Sequence, residues 1–436
     1  MRKGFLCMNK NKLWVKAFRC VDFLILSILV GVLLMTAVYV LPVGRMHTKV
    51  DESRPLFENE GHGFYWCPPD DATTRLDGYT DCIMLQSAIY KGTGNPLKDA
   101  MLHARVEFYP EKWNPSESLI RYVYGEYEGP VLSYARYWGG YLLFLKPLLL
   151  FFTLPQIRAM DACLQLFLAL AVLLLAYRKG GLRLAIPMTL MLVSLNPITT
   201  AMSLQFTSMY LITLGGALVM LTFETWDKDW GYLVFLFLGI ATAFFDFLTY
   251  PAAAVGVCLT LQVLLVRKRG TQALRGCVGS GAAWVFGYGG MWSGKWLVAS
   301  VLTGQNVLSD AMTQVQYRSN SQLSGNEGAG QVGLFQVILK NLSAYRTPAY
   351  ILLTLCLVAA VLWLLLKKRR FFRVDKGLVA PLLLCFLVPF VWYALVRNHS
   401  AVHYWMTHRN LSAAILALSG FIAYSLHRPQ EETSHG

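Results

Sequence analysis

Apolar runs of about twenty residues recur from residue 22 to residue 427. A bilayer core about 30 Å thick takes roughly 20 residues of helix, so this recurrence confines the chain to a membrane. With 55% hydrophobic and 15% charged residues and a mean hydropathy of +0.44, the segments are too long and too numerous for a soluble core. The reading is an all-α polytopic membrane protein. Ten spans are expected, near residues 22–43, 157–177, 183–203, 206–225, 230–250, 252–267, 277–299, 348–366, 378–396 and 411–427.

The basic residues say which loops stay inside. Arg2, Lys3, Lys10, Lys12, Lys16 and Arg19 precede the first span, and Arg178, Lys179 and Arg183 follow the second. Arg267, Lys268, Arg269 and Arg275 follow the sixth; Lys367, Lys368, Arg369, Arg370, Arg373 and Lys376 follow the eighth. A cytoplasmic N-terminus puts every cluster in the cytoplasm, so the net charge of +14 is a topology signal rather than a nucleic-acid footprint. The expected order is a cytoplasmic N-terminus (1–21), the first span (22–43), an outer loop with interfacial helices (44–156), and spans two to seven (157–299). A second outer loop (300–347), spans eight to ten (348–427) and a cytoplasmic tail (428–436) complete it. The stretch from Tyr141 to Phe152 is short and interrupted by Lys146 and Pro147, which suits an interfacial helix rather than a span. The N-terminal run exceeds a signal peptide's and no Ala-x-Ala site follows it, so it is read as an anchor.

The outer loop is an unusual insertion for a many-span chain, and near its middle lies Leu76-Asp77-Gly78-Tyr79-Thr80-Asp81. Acid or base chemistry at a membrane face requires carboxylates held in water, which makes Asp77 and Asp81 candidates beside the plainer reading as a loop cap or solvated carboxylate. Other polar residues gather at the expected outer ends of spans: Asn196, Gln205, Asp246 and Lys295. Ionisable groups at such depth pair or line a watery cavity. For Asp246 a structural hydrogen bond or an ion pair with Lys295 or Arg136 weighs as much as a site role. Gly290 and Gly294 suit close helix approach. The segment Arg397 to Asn410 carries His399, His403 and Arg409, of which His403 and Arg409 could hold phosphate oxygens. A His399–His403 metal pair lacks a third ligand, and an interfacial belt with polar ends is the bland alternative. Asn341, Asn398 and Asn410 begin tripeptides of the glycosylation pattern, which arise readily by chance. Cys67 and Cys82 alone among the nine cysteines fall in the outer loop, and their pairing is open. There is no CxxC pair, HExxH, Walker loop or GxGxxG, which argues against zinc enzymes, ATPases and dinucleotide enzymes.

This layout, with Leu76-Asp77-x-x-Thr80-Asp81, Tyr134-x-Arg136-Tyr137-Trp138, Asp246-Phe247-Leu248-Thr249-Tyr250-Pro251 and Asn398-His399-Ser400-x-x-His403 in that order, resembles the GT-C superfamily of integral-membrane glycosyltransferases. The nearest types are bacterial members akin to protein mannosyltransferases and aminoarabinose transferases. Gly139 departs from the pattern, since relatives are expected to carry histidine after the tryptophan. Asp51-Glu52 is similar to an Asp-Glu pair of the mannosyltransferases and ranks below Asp81. The resemblance implies transfer of a sugar from a polyprenyl-phosphate donor to a lipid, glycan or protein acceptor at the outer face, with inversion. It makes Asp81 the first choice of base and Asp77 its partner or substitute. Arg136, Lys295, His403 and Arg409 are then the phosphate-binding candidates, with Asp246, His399, Tyr137 and Trp138 in support. The segment 300–347, with Gln305, Gln316, Arg318 and a Gly/Ser-rich stretch from Ser319 to Gly333, suits a mobile cover or plain disorder. No cofactor is demanded, no metal ligand is assigned, and a divalent metal stays open. The alternatives are a lipid-linked sugar transporter or flippase, for which no half-repeat is visible, and a non-catalytic cell-envelope assembly protein.

Overall fold

A computed structural model describes residues 10–67, 71–109, 112, 114–223, 230–266, 269–323, 330–366 and 371–427. Arg2, Lys3, Arg267, Lys268, the run Lys367 to Arg370, residues 324–329 of the Gly/Ser-rich stretch and the tail 428–436 lie outside them.

The chain is helical almost throughout. Helix α1 (Lys10–Tyr39) leads into α2 (Val43–Glu52), α3 (Arg54–Glu60), a 3-10 turn (Ala72–Thr74), α4 (Gly78–Ile89), α5 (Pro96–Leu102), α6 (Pro115–Val123) and α7 (Leu142–Leu149). Then follow α8 (Leu154–Gly180), α9 (Leu182–Leu195), α10 (Pro197–Met202), α11 (Leu204–Thr222), α12 (Tyr232–Phe245), α13 (Pro251–Leu265) and α14 (Thr271–Thr303). After them come α15 (Val307–Ser319), α16 (Leu334–Ser343), α17 (Pro348–Leu366), α18 (Lys376–Leu395), α19 (Arg397–Val402), α20 (Tyr404–Thr407) and α21 (Leu411–Ser425). Among the described residues five helices, α1, α8, α11, α17 and α18, are long and apolar enough to cross a membrane, and α9, α12 and α13 are shorter apolar helices. The protein is therefore an α-helical chain with several candidate membrane spans.

Helix ends follow local chemistry. The third expected span stops at Leu195 rather than running to 203, because Asn196 takes a left-handed conformation (φ 53°) and Pro197 opens a new short helix. Asn196 then caps α10 by accepting from the Thr199 N–H. Helix α7 has eight residues, about 12 Å of helix, too short to cross a bilayer. Gly290 and Gly294 do admit a neighbour: a Cβ at either would overlap Leu24 or Ile28 of α1, so α1 and α14 touch through them.

Two apolar clusters organise the molecule. One joins α8, α9, α11, α13, α18 and α21, with residues such as Leu192, Met209, Val257, Leu382 and Leu416. The other joins α1, α12 and α14 to the inserted segment, through Met35, Met46, Leu85, Met101, Trp138, Phe244 and Met291. The inserted segment is thus folded onto the helices. Three short antiparallel ladders add little: Arg105–Val106 with Val131–Leu132, Gln322–Leu323 with Gly330–Gln331, and Phe371–Phe372 with Leu426–His427.

Several expectations change. Cys67 is exposed, whereas Cys82 is buried as a free thiol, so the two are not paired. Asn341, Asn398 and Asn410 are fully buried, and the Asn341 amide donates to Val337 and Ser400 carbonyls, so none offers a glycosylation site in this fold. Asp51 and Glu52 lie on the surface of α2 beside Arg54 and Lys49, as solvated charges do.

Candidate functional site

A polar cavity of about 1160 Å³ opens between the start of α4, the 132–137 segment, the turn after α12, α15 and the α19–α20 segment. An apolar groove of about 990 Å³ runs between α13, α14 and α18. Arg136, Tyr137, Leu248, Gln314 and Arg318 line both, so the two spaces meet at a rim carrying two guanidinium groups.

The two carboxylates of the 76–81 motif are turned to different tasks. Asp77 is the N-cap of α4 and accepts from the Thr80 N–H at 3.1 Å, while its own backbone N–H donates to Ser203 Oγ. Its side chain lines the polar cavity. Burial, reinforced by the nearby Asp81 charge, pushes the Asp77 carboxyl up to about 7. Asp81, one turn into the helix, faces away from the cavity toward the N-terminus of α11. There it accepts from the backbone N–H groups of Leu204 and Gln205, both at 3.1 Å, from Ser203 Oγ at 3.3 Å and from Arg158 Nη2 at 3.3 Å. It caps another helix, neutralising donors that α11 cannot satisfy itself. Burial raises its carboxyl to about 6 while Arg158 and the two N–H groups pull it down. Arg158 also forks onto Glu60 at 2.6 and 2.8 Å. Asp81, the first choice from the sequence, is a structural clamp, and of the two motif carboxylates the one that lines the cavity is Asp77.

The cations divide in the same way. Arg136 lines both spaces and is held by Asp310 of α15 at 3.0 Å. Lys295 does not reach either: it is fully buried, donates to the Ala100 and Met101 carbonyls, and lies over the Trp138 ring. Arg409 is likewise fully buried, donating to the Leu195, Trp405 and Thr73 carbonyls and covering Phe206. Both are braces tying chain segments together, not phosphate ligands. His403 lines the cavity and receives a long contact, 3.5 Å, from Arg318 Nη1. Burial first, and then His399 and Arg318, lower its basicity well below the ordinary value, so it is a neutral imidazole. His399 is lowered to about 3, chiefly by burial, and its Nε2 donates to the Leu248 carbonyl at 2.7 Å. The rings of His399 and His403 are 4.7 Å apart, but no group of three His, Cys, Asp or Glu suited to a metal exists among the described residues.

Asp246 supports the wall rather than the chemistry. It accepts from the backbone and hydroxyl of Thr249, which curls the chain so that Leu248 takes φ 68° and shows its carbonyl to His399. It pairs with neither Lys295 nor Arg136. Tyr137 is a wall residue of both spaces, packed on Phe247, Tyr134 and Trp292. Trp138 is a core peg whose indole donates to the Met291 carbonyl. At Gly139, where a histidine was expected, a Cβ would overlap the imidazole of His103, which fills that space and donates to or accepts from Tyr141 Oη at 2.8 Å.

Sequence reasoning passed over His62, Arg75, Tyr134 and Asp310 as site residues, although each lines the cavity or the residues that line it. Arg75 stands two residues before Asp77, and alternation along an extended segment was the signal that could have found it. Arg318, read as part of a cover, sits at the rim. In comparisons with models of known protein families, with curated proteins and with solved structures, nothing matches this chain.

Proposed function

We propose that this chain is a membrane glycosyltransferase of the GT-C type, with the ten-span layout set out under Sequence analysis and the polar cavity at the outer face. The supporting observation is the meeting of the polar cavity and the apolar groove at Arg136 and Arg318. A polyprenyl-phosphate sugar has three parts of matching chemistry: a long apolar chain for the groove, a phosphate for the guanidinium rim, and a sugar for the polar cavity.

Asp77 is the base. An acceptor hydroxyl oxygen forms the new bond to the anomeric carbon while the bond from that carbon to the phosphate oxygen breaks. The bonding pair leaves with the phosphate, where Arg136 and Arg318 balance the charge, and the hydroxyl proton passes to the Asp77 carboxylate. Phosphate leaves without a general acid, so one carboxylate suffices, in contrast to the pair used by most glycoside hydrolases. Attack opposite the leaving group inverts the anomeric centre.

The test uses the full chain in lipid nanodiscs with a panel of polyprenyl-phosphate sugars. Release of polyprenyl phosphate coupled to sugar transfer is expected, and Asp77→Asn should lower it by roughly 10²–10⁴-fold. Unchanged turnover in that variant removes Asp77 as the base. No transfer with any donor, together with movement of a lipid-linked sugar across a vesicle bilayer, would favour a transporter.

A further inference from the structure

Arg75 is a guanidinium in the polar cavity with its hydrogen bonds unmade. It lies on extended backbone (φ −72°, ψ 124°) between the 3-10 turn and α4. The Trp405 ring supports it at 4.4 Å, and the Tyr65 ring stands at 6.0 Å. Gly63 makes room for it: a Cβ there would come within 2.7 Å of Nε and 2.9 Å of Nη2. Among the described residues no carboxylate forms an ion pair with it, and its Nε is buried without a partner. Other interior arginines have charged or carbonyl partners: Arg158 has Glu60 and Asp81, Arg409 has three carbonyls, and the fully buried Arg105 pairs with Glu107 at 3.5 Å. Arg75 alone of these presents an empty fork, clamped by an aromatic face, which is the arrangement that captures an oxyanion.

Its position says which oxyanion. Arg75 lines the polar cavity but not the groove, unlike Arg136 and Arg318. Leu76 is fully buried, and Arg75 and Asp77 on either side of it both line the cavity. Two steps of extended chain separate their Cα atoms by about 6.6 Å. A molecule gripped by its anion at Arg75 would bring a neighbouring hydroxyl toward Asp77.

We infer that Arg75 binds a carboxylate or phosphate carried by the acceptor, close to the hydroxyl that is glycosylated, so that the acceptor is an acidic or phosphorylated compound. The assignment to the acceptor rests on the transferase reading; the anion site itself does not.

The experiment measures thermal stabilisation of the full chain in nanodiscs by inorganic phosphate, by glucuronate and by neutral glucose, at matched ionic strength. At least one anion should stabilise the protein and glucose should not; comparison of phosphate with glucuronate reads which oxyanion is preferred. Arg75→Gln should weaken anion binding about tenfold or more, the scale of losing a charge-assisted hydrogen bond. Arg75→Lys, which keeps the charge without the fork, should fall between, and Arg121→Gln, at a surface pair with Glu126 outside the cavity, should bind the anion as the wild type does. Gly63→Ala, which pushes the guanidinium aside while leaving it present, serves if Arg75→Gln does not fold. Unaltered anion binding in Arg75→Gln or Gly63→Ala, equal loss in Arg121→Gln, or equal stabilisation by glucose overturns the inference. Where donor turnover is measurable, Arg75→Gln should lower kcat/KM for an acidic acceptor and spare hydrolysis of the donor by water. A wild type that binds anion through Arg75 yet turns over no donor sinks the transferase reading and leaves the anion site standing.

Discussion

Replacing each carboxylate of the 76–81 motif by asparagine should separate chemistry from architecture. In Asp77→Asn the side-chain oxygen can still accept from the Thr80 N–H, and asparagine caps helices about as well as aspartate, so the fold should change by only a few tenths of a kcal/mol. What disappears is the basic oxygen in the cavity, and with it roughly 10²–10⁴ of rate. Asp81→Asn has the opposite expected result. Its carboxylate takes three donors on α11 and its N-cap residue plus one from Arg158, and an amide can serve only one side of that set. At least one buried N–H loses its acceptor, and Arg158 keeps Glu60 as its remaining partner, for a loss of about 2–4 kcal/mol. The assays are thermal unfolding in nanodiscs and initial transfer rate per folded molecule. The pH dependence adds a signature. Because the Asp77 carboxyl is raised to about 7 in the fold, the base fills as pH rises, so the transfer rate should climb through about pH 7 and this limb should vanish in Asp77→Asn. The sign for stability is reversed: a carboxyl raised from 3.8 in the unfolded chain contributes stability below about pH 4 and loses it as pH rises through about 7. If Asp81→Asn abolishes transfer while melting as the wild type does, and Asp77→Asn is active, the assignment of the two carboxylates is wrong.

Further substitutions probe the surrounding parts. Gly281→Trp places an indole in the apolar groove where almost nothing touches a Cβ, and should cut transfer from long-chain donors while sparing a short-chain analogue; equal effects on both would remove the groove as the tail site. Gly294→Leu forces α14 off Ile28 of α1 and should destabilise by about 1–3 kcal/mol, read as a lower unfolding midpoint. Arg409→Met leaves three carbonyls without their donor and should lower stability by a few kcal/mol without changing donor KM; a raised KM with normal melting would restore Arg409 as a phosphate ligand.

Much of the architecture is local and was therefore legible. Runs of apolar residues produce helices wherever they fall, and Asp77 was readable as a cap because its cap bond joins residues three apart, whereas the break at Asn196-Pro197, equally local, was read through as one span. The motif around Asp77, the rim arginine Arg136 and the pair His399 and His403 were also visible, and the fold brings all of them to one cavity. The roles of Asp81, Lys295 and Arg409 were not visible. Each is a buried charge whose partners lie far along the chain: Asp81 meets Leu204, Lys295 meets Met101, and Arg409 meets Thr73 and Leu195. A charged residue at the end of an apolar helix looks the same in sequence whether it faces a ligand or a carbonyl.

By itself, then, the sequence determined a helical, membrane-compatible chain with an inserted polar segment, since hydrophobic length and helix capping act over a few residues. Only the tertiary structure decided that Asp77 faces the cavity while Asp81 clamps α11, and that Arg75 keeps its donors open beside Trp405. The physical reason is satisfaction of buried charge: in a low-dielectric interior a charged group must find partners or a ligand, and which of these it finds depends on distant segments brought together by packing.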